Sequence, residues 1–438
     1  MPPIPQTQPA PLLTRRTYLA LLLLGLAGQL AWAVENQFYN TFLYDRITPD
    51  PQAVSWMVSI TAVVSTLTAI LMGTFSDRLR SRWGKRRPLI FAGYLLWGAM
   101  TAAFPIAAAF QSVAVGVAMA ILLDSLMTFF GATANDAALS AYVADVTTPA
   151  NRGRVSGAMQ IMTWVALLIV YGGAGFIIQA FGYTAFFLGV GVMVVVIGLV
   201  CTPTLQEPPA AARPAESYWS QIADTFRLRN LLAQRDLFLL LCSLTLFMVA
   251  FNVFFPYLMI YMQHYIELPI LDSSIVIAVT ILVGGIGLAF PIGMLVDRWG
   301  RRPVAAAAVI AISIGLGLFS LARSLPALIL TSIVWLGAFT AWSIATAAWT
   351  KDLYPEDKRG QFAGYYILFN VAFTMIPGPL LGGWLANTYG AATVIDGKAG
   401  MIPTPILFQV AALVVLLTLI PLRMVKGGRA GESGKSAA

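Results

Sequence analysis

Histidine and cysteine are nearly missing from this chain. His264 is the single histidine, and Cys201 and Cys242 are the only cysteines. Clustered histidine-metal ligation, a Cys-His nucleophile and a disulfide framework therefore lack the residues they need. No GxxxxGK[ST] stretch occurs, so ATP chemistry would require a separate subunit. No cofactor and no enzymatic activity are expected. Charge is also scarce: charged side chains make up 11% of the 438 residues, against 58% hydrophobic residues and a mean hydropathy of +0.78. A set of soluble domains cannot be built from that composition, whereas membrane spans can.

The net charge of +8 would suggest nucleic acid as a partner in a soluble protein. Here the placement of the charge decides. Twelve apolar segments lie between residues 17 and 422, and the positive side chains fall in the termini and in alternate connections, all on one side; Arg46, Arg323 and Lys398 are the exceptions. The positive-inside rule makes that side cytoplasmic, with both termini there, in a multi-pass protein of the plasma (inner) membrane. The predicted organisation is a disordered cytoplasmic start (1–16), a six-helix bundle (17–201), a cytoplasmic linker (202–236), a second six-helix bundle (237–422) and a cytoplasmic tail (423–438). Within the linker, 218–232 interleaves apolar and charged residues, as a helix lying on headgroups would, or as an extension of the seventh span would. The connection from Asn387 to Thr404 reads as irregular.

The two bundles repeat each other. The basic turn from Gly73 to Pro88, GTFSDRLRSRWGKRRP, returns as GMLVDRWGRRP from Gly293 to Pro303. Asp145, Arg152, Gly153 and Gly157 recur at the same spacing as Asp352, Arg359, Gly360 and Gly364, and Asn36, Phe38 and Leu43 as Asn252, Phe254 and Met259. This is the signature of a parallel six-plus-six duplication. Gly73, Asp77, Arg78, Gly84, Arg86, Arg87, Asp145 and Arg152, with Gly293, Asp297, Arg298, Arg301, Arg302, Asp352 and Arg359, form the expected cytoplasmic gate. In it, carboxylates meet arginines and free helix-end N–H groups, and Gly73 and Gly84 permit close backbone passage. These charges are expected to latch the halves together in an outward-facing state; the plainer alternative is that they only fix topology.

Polar groups inside the spans should face the interior or a cavity. Gln29, Trp32, Asn36 and Asn40 share one helix face at spacings of three and four, with Glu35 beside it. The fourth span carries Asp124, Thr128 and Asn135 along one side. Asp124 lies about 12 Å in from the outer end of its segment at about 1.5 Å per residue, and its counterpart in the second half is Thr331. An acid outside the repeat pattern suits a proton-carrying role, because burial penalises charge; Glu35 could serve alike. Expected substrate contacts are Gln29, Trp32, Asn36, Asn135, Gln160, Trp164, Asn252 and Asn370, the two tryptophans by stacking on sugar C–H faces. For each, the alternative is an ordinary helix-helix contact.

The basic turns, Gly73, Asp77, Arg78, Gly84, Arg86 and Arg87 with Gly293, Asp297, Arg298, Gly300, Arg301 and Arg302, resemble the signature between the second and third helices of the major facilitator superfamily. That resemblance implies an all-α fold of twelve transmembrane helices in two six-helix bundles related by a pseudo-two-fold axis, moving by alternating access. The longer first turn, together with Ala144-Asp145-Val146 before Arg152-Gly153, is similar to the glycoside-pentoside-hexuronide:cation and sucrose-type symporters, and implies sugar uptake coupled to a proton or sodium. Val54 to Phe75 contains no carboxylate, which makes sodium the lesser choice. The expectation is a proton-coupled sugar or glycoside symporter acting as a monomer in the bilayer. The alternatives are a carrier of another compound, such as a proton-coupled exporter, and a non-transporting sensor or scaffold.

Overall fold

The computed structural model describes residues 13–207, 218, 231–232, 234–353, 365 and 368–425, apart from the side chains of 149, 150, 348, 351 and 352. Among these, eleven helices are long and apolar enough to cross a membrane. The first four are α1 (Arg15–Ile47), α2 (Pro51–Arg78), α3 (Arg87–Ala109) and α4 (Val113–Val146). The next, Asn151–Thr204, has 54 residues, about 80 Å at about 1.5 Å per residue and far longer than a hydrocarbon core of about 30 Å. Gly182, at φ +80°, breaks it into α5 (151–181) and α6 (183–204), since only glycine takes that conformation without cost. The second half comprises α7 (Arg235–Tyr265), α8 (Ile270–Trp299), α9 (Arg301–Leu321), α11 (Leu368–Tyr389) and α12 (Ile406–Met424), with α10 (Leu325–Leu353) between α9 and α11. The twelve spans expected from hydropathy are present.

Local chemistry sets the helix starts. The Asp50 carboxylate accepts the Gln52 N–H (2.8 Å) ahead of Pro51 in the first turn of α2, and Thr148 and Asn151 form a reciprocal capping box before α5. Helix begins at Arg15, inside the stretch read as a disordered start. Most of the expected interfacial helix, 218–232, and the tail beyond 425 lie outside the described residues.

Each half is held by buried rings. Tyr39 stacks on Phe104 and meets Phe187 edge-on, tying α1 to α3 and α6; Phe247 stacks on Trp342 (4.5 Å, 7°) between α7 and α10. Outward, the bundle shows apolar side chains such as Phe290 (77% exposed) and Leu413 (68%). Such a surface is stable against lipid and not against water.

The basic turns lie at one end of the bundle, here the basic end. At the opposite, far end the halves are joined across their interface. Gln37 Nε2 donates to the Phe255 carbonyl (2.8 Å), Ser59 Oγ to that of Ile376 (3.3 Å) and Tyr257 Oη to that of Pro51 (3.3 Å). His264 Nε2 stands 2.8 Å from Asp45 Oδ1, and Tyr183 Oη donates to Asp45 Oδ2 (2.6 Å).

The connection read as irregular is instead a β-hairpin. Strands β1 (Ala391–Ile395) and β2 (Lys398–Ile402) pair antiparallel, with Ile395 opposite Lys398. Asp396 and Gly397 both have positive φ (48° and 77°), the geometry that an Asp-Gly pair favours in a two-residue hairpin turn. That dipeptide was the signal for it. The hairpin reaches the other half: the Met401 N–H donates to the Pro49 carbonyl (3.0 Å), Lys398 Nζ to that of Ile47 (2.8 Å), and Tyr44 Oη to the Met401 carbonyl (2.7 Å).

Candidate functional site

Among the described residues, α1, α4, α7, α8 and α11 each lose regular α-pitch over a stretch, and in α1, α4 and α11 the stretch holds interior polar residues expected at the site. These wider turns, with i to i+5 bonding, lie at Glu35–Tyr39 in α1, Ala132–Leu139 in α4 and Leu368–Ala372 in α11. Such turns re-aim side chains and free carbonyls, and they concentrate at functional positions. They explain why helical spacing alone misplaces some of the interior residues.

Glu35, Asn36 and Asn40 of α1, Thr61 of α2, Asp124 of α4 and Asn252 of α7 line one slot between the halves, closed by Phe255, Pro256 and Met375. Its volume is about 20 Å³, room for a single water. Glu35 accepts a hydrogen bond from Thr128 Oγ1 (3.1 Å). Asp124 is buried, and its Oδ1 has no partner among the described residues. The amides of Asn36, Asn40 and Asn252 each donate to the carbonyl four residues back, of Trp32, Asn36 and Met248 (2.7, 2.9 and 2.8 Å). Their oxygens stay free to accept from a ligand. Two carboxyl groups and amides from both halves thus converge on one small volume.

Asp136, twelve residues further along α4 toward the basic end, is exposed whereas Asp124 is 2% exposed. The surface of α4 is thus more open on the basic-end side of the slot than at the slot itself. Asn135 donates to Asp136 (2.8 Å), the Tyr94 hydroxyl approaches Asn135 Oδ1 (3.3 Å), and Trp32 packs on Trp97 (4.9 Å). Trp32 and Asn135 belong to this α1–α3–α4 cluster and do not line the slot; Gln29 is half-buried on the same helix as Trp32.

Three other expected contacts fall elsewhere. Gln160 is exposed and lines neither cavity described here, and Asn370 is half-buried on the widened turn of α11, outside the slot. Trp164 lines a second, larger chamber of about 230 Å³ between α5, α7, α8 and α10, with Tyr171, Phe251, Phe255, Trp335 and Phe339 among its walls. The pairing of Trp164 with Gln160 as a polar stacking platform is thus not made; the tryptophan faces an apolar space.

At the basic end, Arg86 is buried and central. It donates to Ser76 Oγ (2.6 Å), to Asp77, and through Nε to Asp145 Oδ2 (3.3 Å), which Lys85 Nζ also meets at 2.9 Å. Arg87 donates to the Pro203 carbonyl (2.9 Å), and Arg152 to Thr147 (3.4 Å). Arg78 lies over the ring of Tyr218 (5.8 Å). Among the described residues these contacts bind α2, α3, α4 and the end of α6 within the first half; the latch between the halves was expected for an outward-facing state. In the second copy, Arg302 donates to the Arg423 carbonyl (2.6 Å), Asp297 and Arg298 are exposed, and Arg301 takes up the first turn of α9. The side chain of Asp352, and Arg359 altogether, lie outside the described residues. Among the described residues nothing lies within 4 Å of a Cβ added at Gly73 or Gly293, so none of them makes the close passage expected at Gly73.

Glu207 completes this end and had no motif to announce it. Its carboxylate accepts the backbone N–H groups of Lys85 (3.2 Å), Arg86 (2.7 Å) and Arg87 (2.7 Å); these are orphan donors at the start of α3, where negative charge is favoured. Gly84 makes room for it. With φ +100°, a Cβ there would lie 2.4 Å from Glu207 Cδ; Gly300 repeats the conformation at φ +88° in the second copy. Gly84→Ala is expected to lower stability by about 1–2 kcal/mol through backbone strain and loss of the cap. The readout is the thermal midpoint in detergent, and an unchanged midpoint would show the cap to be dispensable.

Residues 17–290 and 282–437 match the family model for the Major Facilitator Superfamily. A search of curated protein sequences gave no match. Among solved structures, the nucleoside transporter NupG superposes with a TM-score of 0.69 at 16% identity, over 94% of this chain and 99% of that one. A D-xylose-proton symporter gives 0.69 at 15% identity over 93% and 96%, and the inward-open xylose transporter XylE from E. coli gives 0.69 at 14% over 95% and 97%. At these identities the likeness is one of fold. With two repeated six-helix bundles, eleven apolar helices of spanning length and a family match along nearly its whole length, the chain belongs to the Major Facilitator Superfamily and is a membrane transporter, not an enzyme.

Proposed function

We propose that the protein is a proton-coupled symporter of a sugar or glycoside that works by alternating access, as a monomer, with its basic end and both termini in the cytoplasm. The carrying observation is the slot: Glu35 and Asp124 share it with amides contributed by both halves. Two like charges in one buried volume repel each other, so a single added proton relieves the pair. A solute bridging Asn36 and Asn252 would pull the halves together only when that repulsion is relieved, which couples proton and solute. The joined far end and the exposure of Asp136 fit a state open to the cytoplasm. A similar fold in a protein named a D-xylose-proton symporter is compatible with this reading. The lack of a carboxylate in α2 between Val54 and Phe75 favours a proton over sodium, and the narrower likeness to the glycoside-pentoside-hexuronide and sucrose-type symporters is part of the proposal.

A second reading, export or uptake of a non-sugar amphipathic compound, draws on one observation, the aromatic chamber beside the slot. Proteoliposomes separate the two. Addition of a transported glycoside should alkalinise the outer medium, and uptake should follow an imposed proton gradient and ignore a sodium gradient. No response across a broad panel of sugars and glycosides, together with proton-driven movement of a hydrophobic cation, would reverse the assignment. Absence of any solute flux would leave a sensor or scaffold.

A further inference from the structure

Phe255 stands in two walls at once. One of its sides closes the slot of Glu35, Asp124 and Asn252, and it also lines the chamber of Trp164, Phe251 and Trp335. The two cavities therefore abut, and they are chemically opposite. The slot, at about 20 Å³, is far too small for a sugar ring. The chamber, at about 230 Å³, exceeds the apolar cavity of about 150 Å³ that suffices for benzene. Its wall offers few polar groups. The Thr280 hydroxyl is spent on the Val276 carbonyl (2.6 Å), and Tyr171 reaches only toward the Ala33 carbonyl (3.5 Å). A free sugar lodged there would strand most of its hydroxyls, at a cost that burial does not return. Trp335, 4% exposed, gives the wall ring surface and not its N–H, which is fully buried.

We propose that the chamber is a subsite for an aryl group, and that the solute is an aryl glycoside whose sugar engages the slot side while its ring fills the space around Trp335. This deepens the sugar reading of the slot and rests on it. The ring gains from leaving water and from edge and face contacts with Phe251, Phe255 and Trp164.

The test is a titration of the purified full chain with phenyl and methyl β-glucosides and β-galactosides, phenol and phenylethylamine, read by tryptophan fluorescence. The phenyl glycoside should bind at least about 10-fold more tightly than the methyl glycoside of the same sugar. Ser332→Leu, which puts bulk into the chamber, should erase that difference. Leu336→Trp, which fills the chamber from another wall position, should erase it likewise, which gives a second reading should the first variant not fold. Equal affinity for phenyl and methyl glycosides, or a preference that survives Ser332→Leu, overturns the proposal. Binding of phenol and phenylethylamine, abolished by Ser332→Leu, without binding of any glycoside would instead uphold the aryl subsite and sink the sugar reading of the slot.

Discussion

Asp124→Asn is expected to abolish solute accumulation while leaving solute-for-solute exchange in place. The substitution keeps the shape and one acceptor of the side chain and removes its capacity to carry a proton. In the symport cycle proposed above, a membrane potential of about 100 mV contributes about 2.3 kcal/mol per charge moved, equivalent to about 50-fold accumulation for one proton per solute. The variant should lose that factor and also the solute-induced alkalinisation. Asp124 is chosen over Glu35 because of their surroundings. Glu35 has the Thr128 hydroxyl at 3.1 Å, whereas Asp124 Oδ1 is buried without a partner, so the latter has the less compensated charge. Glu35→Gln should reduce coupling through the shared slot, and the double variant should be no worse than Asp124→Asn alone, since the two act as a pair. Uptake by Asp124→Asn that still alkalinises the medium would move the coupling site elsewhere.

Arg86→Ala should be the most damaging single change at the basic end, with a loss of about 3 kcal/mol of stability. Removing one partner of a buried ionic cluster leaves the others desolvated and unpaired, at about 3–5 kcal/mol. The lower part of that range applies because the Asp77 side chain is 53% exposed and water screens it. Asp145, at 24%, keeps Lys85 and is the less affected. A fall in the thermal midpoint well beyond that of Gly84→Ala is the expected measurement. A midpoint within a degree of wild type would mean that the cluster fixes topology during insertion and adds little afterwards.

Span count, duplication and the basic turns were legible in the residues because each is written as a contrast, apolar against charged, over long stretches. Within the site the record is mixed, for a physical reason. Glu35, Asn36, Asp124 and Asn252 were legible as polar groups in apolar helices, and they do converge. Gln160 and Trp164 were paired from spacing along one helix, yet which cavity a side chain enters depends on where the other half packs, and one sequence carries no measure of that. Thr61 is ordinary among the many threonines that bond their own helix, whereas Thr128, already legible on the polar side of the fourth span, reaches Glu35 of α1. Glu207 sits in a linker where nothing in its neighbours marks it, because its partners are main-chain N–H groups that any sequence would present. The hairpin was overlooked although Asp396-Gly397 was in plain sight; a turn between two spans is easily read as mere connection.

That hairpin has a consequence for how the far end can change over time. Part of its grip on the other half is main chain to main chain, from the Met401 N–H to the Pro49 carbonyl, and such a staple is blind to the identity of the flanking side chains. The lip of the carrier is therefore free to vary its outer chemistry at positions such as Val394, 68% exposed, with little effect on the free energy of shutting. Insertions that shift the strand register have no such licence.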